Sequence, residues 1–150
     1  MWRDALSEII REKALYGEQV NCGAAETEIS RFRMAVQDAL GAELPAEYAD
    51  FLRTVNGVLF NGYTVCGIDR HLLSEAPVQS VTGLLENNQV WHENEWMKQF
   101  LFIGDSDISW YVFDAAHGKY CELDKPSGCC VTCFCSFADM LETILRNSLK

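Results

Sequence analysis

The chain has 150 residues, of which 49% are hydrophobic and 11% aromatic. A core can therefore form without disulfides or a structural metal, and one domain is predicted over residues 1–150. The formal net charge of −10 argues against binding to nucleic acid or to an anionic membrane surface. The same charge would attract a basic protein partner, or it serves only to keep the protein in solution. The sequence lacks a run of about 18 apolar residues and the apolar core of a signal peptide, so no membrane association and a cytoplasmic location are expected.

The first third of the chain is predicted to be helical. Apolar residues at helical spacing indicate an amphipathic helix from Trp2 to about Tyr16, which ends at Gly17. Thr27 is the expected N-cap of a second helix, and Gly41 is expected to end that helix.

The segment 44–57 predicts a short third helix with clear boundaries. Pro45 suits the first helical position, where its missing N–H would have no partner. Apolar residues recur along one helical stripe: Leu44, Tyr48, Phe51, Leu52 and Val55. Gly57, after Asn56, can adopt the left-handed conformation that ends a helix.

Strand patterns follow this helix. Two short apolar runs, 58–60 and 63–66, flank Asn61-Gly62, the dipeptide most typical of a type I′ hairpin turn. Residues 81–97 fit an irregular helix followed by a loop, and the continuously apolar run 100–103 is typical of a central strand.

Three further strands and a helix complete the predicted order. Residues 108–113 are expected to pair with residues 119–123, and residues 129–135 form the next strand. Ser136, with Asp139 three residues later, is the expected N-cap of the last helix. Helices first, mainly antiparallel strands in the centre and a closing helix predict the α+β class.

The third helix also carries a family resemblance. It resembles the LPxxYxxFLxxxNG signature of the SUKH superfamily at Leu44, Pro45, Tyr48, Phe51, Leu52, Asn56 and Gly57. This superfamily includes the fungal cell-wall assembly regulators and many bacterial immunity proteins. The resemblance extends to residues 101–105, 110–114 and 136–141, and it implies N-terminal helices, a curved, mainly antiparallel sheet and a C-terminal helix. Many members have a glycine-rich turn where this chain has residues 105–109, so the turn is expected to differ in shape.

The cysteines suggest structural thiols. An odd total of seven favours buried thiols over a disulfide framework. On a regular strand, Cys129, Cys133 and Cys135 would point to one face and Cys130 to the other. A zinc site would then be split between two faces, so no metal is expected and the three thiols would pack in the core. A metal or redox protein built on this cluster is the second alternative function.

No motif predicts catalysis or a cofactor. Residues 104–108 lack the second glycine of a nucleophile elbow, and residues 105–116 lack the glycine and glutamate of a calcium loop. In the run 92–96, Trp96 stands where a zinc protease would need its second histidine. The chain is therefore expected not to be an enzyme.

Acidic residues are concentrated between His71 and Gly118, where seven acids and the single base Lys98 give a local charge of −6. Tryptophans lie among these acids, and buried aromatic anchors ringed by charge are typical of protein interfaces. The predicted partner-binding residues are Trp91, Glu93, Glu95, Trp96, Asp105 and Asp107. The competing interpretation makes the tryptophans core residues, above all Trp110, and the acids a solvated rim.

The resemblance implies a function in protein binding. The favoured hypothesis is an immunity protein that neutralises a bacterial toxin, often a nuclease, with acids that steer the partner and tryptophans that anchor it. The first alternative is a regulatory or scaffold module that binds a cytosolic partner.

Overall fold

The computed structural model describes all residues from Met1 to Lys150. Its helices are α1 (Trp2–Ala14), α2 (Glu26–Leu40), α3 (Ala46–Thr54), α4 (Leu84–Trp91) and α5 (Phe137–Ser148). Its strands are β1 (Val58–Phe60), β2 (Tyr63–Val65), β3 (Phe100–Asp105), β4 (Ser109–Asp114), β5 (Lys119–Asp124) and β6 (Cys130–Phe134). Two short 3₁₀ helices span Arg70–Leu72 and Glu95–Gln99. This element order confirms the predicted α+β fold.

The six strands form one antiparallel sheet in the order β1 to β6, so β1 and β6 are its edges. Asn61 and Gly62 both have positive φ, 49° and 83°, as the predicted type I′ turn requires. The register shifts once in β3, at Ile103, and once in β6, at Val131. Such bulges bend a strand and redirect its side chains.

The sheet separates a large hydrophobic core from a small one. The large core contains Ile103 and Tyr111 from the sheet and the apolar faces of the helices, including α5. The small core consists of Met97, Phe102, Trp110, Val112, Cys121 and Leu123. Because side chains alternate along a strand, Trp110 and Val112 lie on the face opposite Tyr111. We call this second surface of the sheet the outer face. None of the helices combines the length and the apolar character needed to cross a membrane.

The predicted signature residues connect α3 to the chain segment after β2. Tyr48 is fully buried, and its hydroxyl donates a hydrogen bond to the Cys66 carbonyl at 2.6 Å. Asn56 is buried, and its Oδ1 accepts from the Ile68 N–H at 2.8 Å. Gly57 has a φ of 82°, and a Cβ at this position would lie 2.9 Å from the Gly67 nitrogen. The other signature residues, apart from half-buried Pro45, are buried apolar side chains.

Three predicted helix ends need correction. Pro45 is the residue before α3 rather than its first residue, because its ψ is 137° and its carbonyl accepts the Ala49 N–H. The helix ends before Val55, whose backbone is extended, so Gly57 turns the chain into β1 and does not cap the helix. Thr27 lies inside α2, whose N-cap is Ala25.

The start of α2 is fixed by Glu28 instead of Thr27. Its carboxylate accepts the Ala25 N–H at 2.9 Å and the Ser74 N–H at 2.9 Å, and these two backbone donors lower the pKa of Glu28. A glutamate that reaches back to the N-cap is one half of a capping box, and it operates here without a hydroxyl at the cap.

Removal of the Tyr48 hydroxyl is expected to destabilise the protein. Tyr48→Phe leaves the Cys66 carbonyl without this buried donor, and we expect the free energy of unfolding to fall by about 1–2 kcal/mol. Urea denaturation of both proteins would measure the change. Tyr16→Phe is the matched control, because Tyr16 is 78% exposed and should change stability by less than about 0.5 kcal/mol.

Candidate functional site

An aromatic cluster covers one end of the outer face. The Trp91 ring, on α4, meets the Trp110 ring edge to face at 5.2 Å between centroids, and Phe102 lies 5.9 Å from Trp110. Trp110 is only 3% exposed and belongs to the small core, whereas Trp91 is half-buried above it. The interpretation of Trp110 as a core residue is therefore right, and Trp91 is the member of the cluster that reaches solvent.

Asn88 holds α4 against the sheet. It is fully buried, its amide donates to the Leu84 and Phe102 carbonyls, and its Oδ1 accepts the Phe102 N–H at 2.7 Å. β2 pairs with β3 only near Gly104 and Asp105, so the Asn88 side chain supplies the hydrogen bonds that a longer β2 would make to Phe102. Sequence reasoning missed this residue.

The first turn of α4 is held by Asp69. Its buried carboxylate accepts the backbone N–H groups of Leu85 and Glu86, each at 2.9 Å. One turn further along the helix, Asn87 Oδ1 accepts the Trp91 indole N–H at 3.1 Å. The position of Trp91 is thus set by hydrogen bonds along the whole of α4.

Lys125 changes the electrostatics that the sequence suggested. Its ammonium group lies 3.1 Å from Asp105 Oδ2 and 2.8 Å from the Ser106 carbonyl. The same ammonium is 5.8 Å from the ring centroids of both Trp91 and Trp110. Asp105 is therefore a half-buried, paired carboxylate that links the β3–β4 turn to the aromatic cluster. Lys125 follows the acidic span, so counting charges between His71 and Gly118 could not find it.

The remaining predicted residues occupy the surroundings of this cluster. Glu93 is exposed without an ion pair, and Glu95 forms an exposed pair with Lys98 at 2.9 Å. Trp96 is 44% exposed, and its ring lies over Gly128, in the turn between β5 and β6. Asp107 is exposed in the β3–β4 turn, beside Gly62 of the first hairpin.

The predicted arrangement of the cysteines is wrong. Cys129, Cys130, Cys133 and Cys135 are all exposed, so none packs in the core. The bulge at Val131 shifts the register so that Cys130 lies opposite Leu123 and Cys133 opposite Cys121. Since residues paired across strands share a face, Cys130 and Cys133 lie on the same face of the sheet.

Three sulfurs form a compact group at the β6 end of the outer face. The Cys133 Sγ lies 3.7 Å from the Cys121 Sγ and 3.6 Å from the Cys130 Sγ. All three sulfurs lie within 4.8 Å of one another. Burial raises the pKa of Cys121 to about 12, and burial together with a hydrogen bond to Cys133 raises the pKa of Cys130. Sequence reasoning missed Cys121, which lies nine residues before Cys130.

The architecture defines an α+β protein whose first helices and α5 cover one face of an antiparallel sheet, with a partly exposed aromatic cluster on the other face. The SMI1/KNR4 family (SUKH-1) matches the chain over residues 23–143, about four-fifths of its length. The chain belongs to this family, as the resemblance at residues 44–57 predicted. A comparison with curated proteins found no match.

Proposed function

We propose that the chain is a bacterial immunity protein of the cytoplasm that neutralises a toxin by direct, non-catalytic binding. The whole chain would act as one binding domain. Its contact surface would be the solvent-facing side of the aromatic cluster together with the residues around it, namely Trp91, Glu93, Glu95, Trp96, Asp105 and Asp107.

The single observation that supports the proposed surface is that an accessible tryptophan lies close in sequence to a glutamate without an ion pair. Trp96 is 44% exposed although it is a large aromatic residue, and Glu93, three residues before it, has no ion pair. Tryptophan is enriched among the residues that dominate binding energy, and it provides a large contact area with little entropy to lose. The Trp96 ring packs over Gly128 on one side and stays 44% open to solvent, so a partner could contact its free surface.

The charge of the chain fits a basic partner. A net charge of −10 attracts a cationic protein over a distance comparable to the Debye length, about 8 Å at physiological salt. Nuclease toxins carry cationic surfaces that hold phosphates. An acidic protein that docks on or beside such a surface would both bind quickly and exclude the nucleic acid.

Affinity capture tests the proposal. The tagged chain would serve as bait in lysates of the source strain and of competing strains, with elution by a salt gradient. We expect one basic protein to elute as the salt rises and to be toxic when expressed without the chain. A regulator or enzyme of the host, not toxic on its own, would contradict the immunity function and support the scaffold alternative.

A further inference from the structure

We propose that Cys121, Cys130 and Cys133 form a thiolate site for one zinc ion, whose fourth position is left to solvent or to an external ligand. This site is independent of the proposed toxin binding and is built from two adjacent strands.

The distances between the sulfurs match a tetrahedral metal site. A Zn–S bond of about 2.3 Å places two sulfurs of a tetrahedron about 3.8 Å apart. The sulfur pairs that include Cys133 are 3.7 and 3.6 Å apart, and the third pair lies within 4.8 Å. A rotation of the Cys121 or Cys130 side chain would therefore suffice to bring all three sulfurs to one ion.

The strand register places the ligands before any metal arrives. Cys121 and Cys133 are directly opposite each other across β5 and β6, and the extra residue Val131 brings Cys130 onto the same face. Without the bulge, Cys130 would point to the other face, and the site would have only two sulfurs. The bulge therefore creates the site.

The environment of the sulfurs suits a metal better than a role in packing. Cys130 and Cys133 are exposed on an edge strand, where thiols contribute little to a core and where an ion can enter. Three sulfur donors without a carboxylate or an imidazole select a soft or borderline ion and disfavour magnesium or calcium. A bound ion would also fasten the edge strand β6 to β5.

Metal titration of the full chain tests this proposal. The protein would be purified with reductant and chelator, freed of both, and titrated with Co²⁺ as the spectroscopic probe and then with Zn²⁺. We expect one Co²⁺ per chain with a thiolate-to-metal charge-transfer band in the ultraviolet, displacement by one equivalent of Zn²⁺, and a higher melting temperature with Zn²⁺.

Two variants separate the site from adventitious binding by other cysteines. Cys133→Ser removes the central sulfur and should weaken binding on the order of a hundredfold or more. The double variant C129S/C135S removes two exposed thiols outside the group and should bind as the unmodified chain does. The proposal would be overturned by the absence of stoichiometric binding, or by loss of binding in C129S/C135S with retention in Cys133→Ser. Circular dichroism of each variant shows whether it is folded.

Discussion

Asn88→Ala is expected to lower the free energy of unfolding by about 2–5 kcal/mol, because both backbone groups of Phe102 lose their partner. A buried N–H or C=O left without a hydrogen bond costs about 1–3 kcal/mol. Phe102 lies in the small core beneath Trp91, so water cannot reach these groups without opening the core. Urea denaturation followed by tryptophan fluorescence would measure the effect.

The control for this variant is the neighbouring residue on the same helix. Gln89 is exposed, so Gln89→Ala should change stability by less than about 0.5 kcal/mol. A loss below about 1 kcal/mol in Asn88→Ala would mean that α4 is not held to β3 by this side chain. Trp91 lies one turn further along α4, so a loosened helix should expose the Trp91 ring to water. The folded Asn88→Ala protein should therefore emit at longer wavelength than the unmodified chain.

Reversal of the charges at Glu93 and Glu95 is expected to slow association with the captured partner about tenfold at low ionic strength. Both side chains are exposed, so the double variant E93K/E95K should fold normally. The difference from the unmodified chain should shrink as salt is added, because screening shortens the range of the attraction. Stopped-flow mixing or surface-based kinetics at several salt concentrations would measure this association rate.

A matched control separates local charge from total charge. Each reversal adds two charges, so E93K/E95K and E12K/E43K both move the net charge from −10 to −6. Glu12 and Glu43 are exposed and without ion pairs on other parts of the surface, Glu12 on α1 and Glu43 just before α3. Equal slowing in both variants would show that the net charge, and not the proposed surface, accounts for the rate.

Local signals explain what could be predicted from the sequence. Asn61-Gly62 needs only its own backbone preferences to specify a turn, and Ser136 needs only the Asp139 N–H, which lies 3.2 Å from its hydroxyl. The start of α2 was missed because the N-cap N–H of Ala25 is accepted by the Glu28 carboxylate instead of a hydroxyl. The same carboxylate also accepts the N–H of Ser74, 46 residues away. The hydroxyl of Thr27 therefore did not mark the start of the helix, whereas the contacts of Glu28 do.

The arrangement of the site could not be predicted, because it depends on strand pairing and on contacts between distant residues. The bulge at Val131 arises from the pairing of β6 with β5, so a regular alternation assigned Cys130 to the wrong face. Asparagine is usually exposed on a helix, but the Asn88 amide is buried beside Phe102, in a position that the short strand β2 does not reach. The pairing of Lys125 with Asp105 spans 20 residues and became visible only with the fold.

Survival of cells that express the captured toxin measures neutralisation by the chain itself. We expect co-expression of the chain, or of E12K/E43K, to restore growth. E93K/E95K combined with Trp96→Ala, expressed at the same level, should not restore it. Failure of the unmodified chain to protect would contradict the immunity function. Full protection by the triple variant would show that the toxin binds to a different surface.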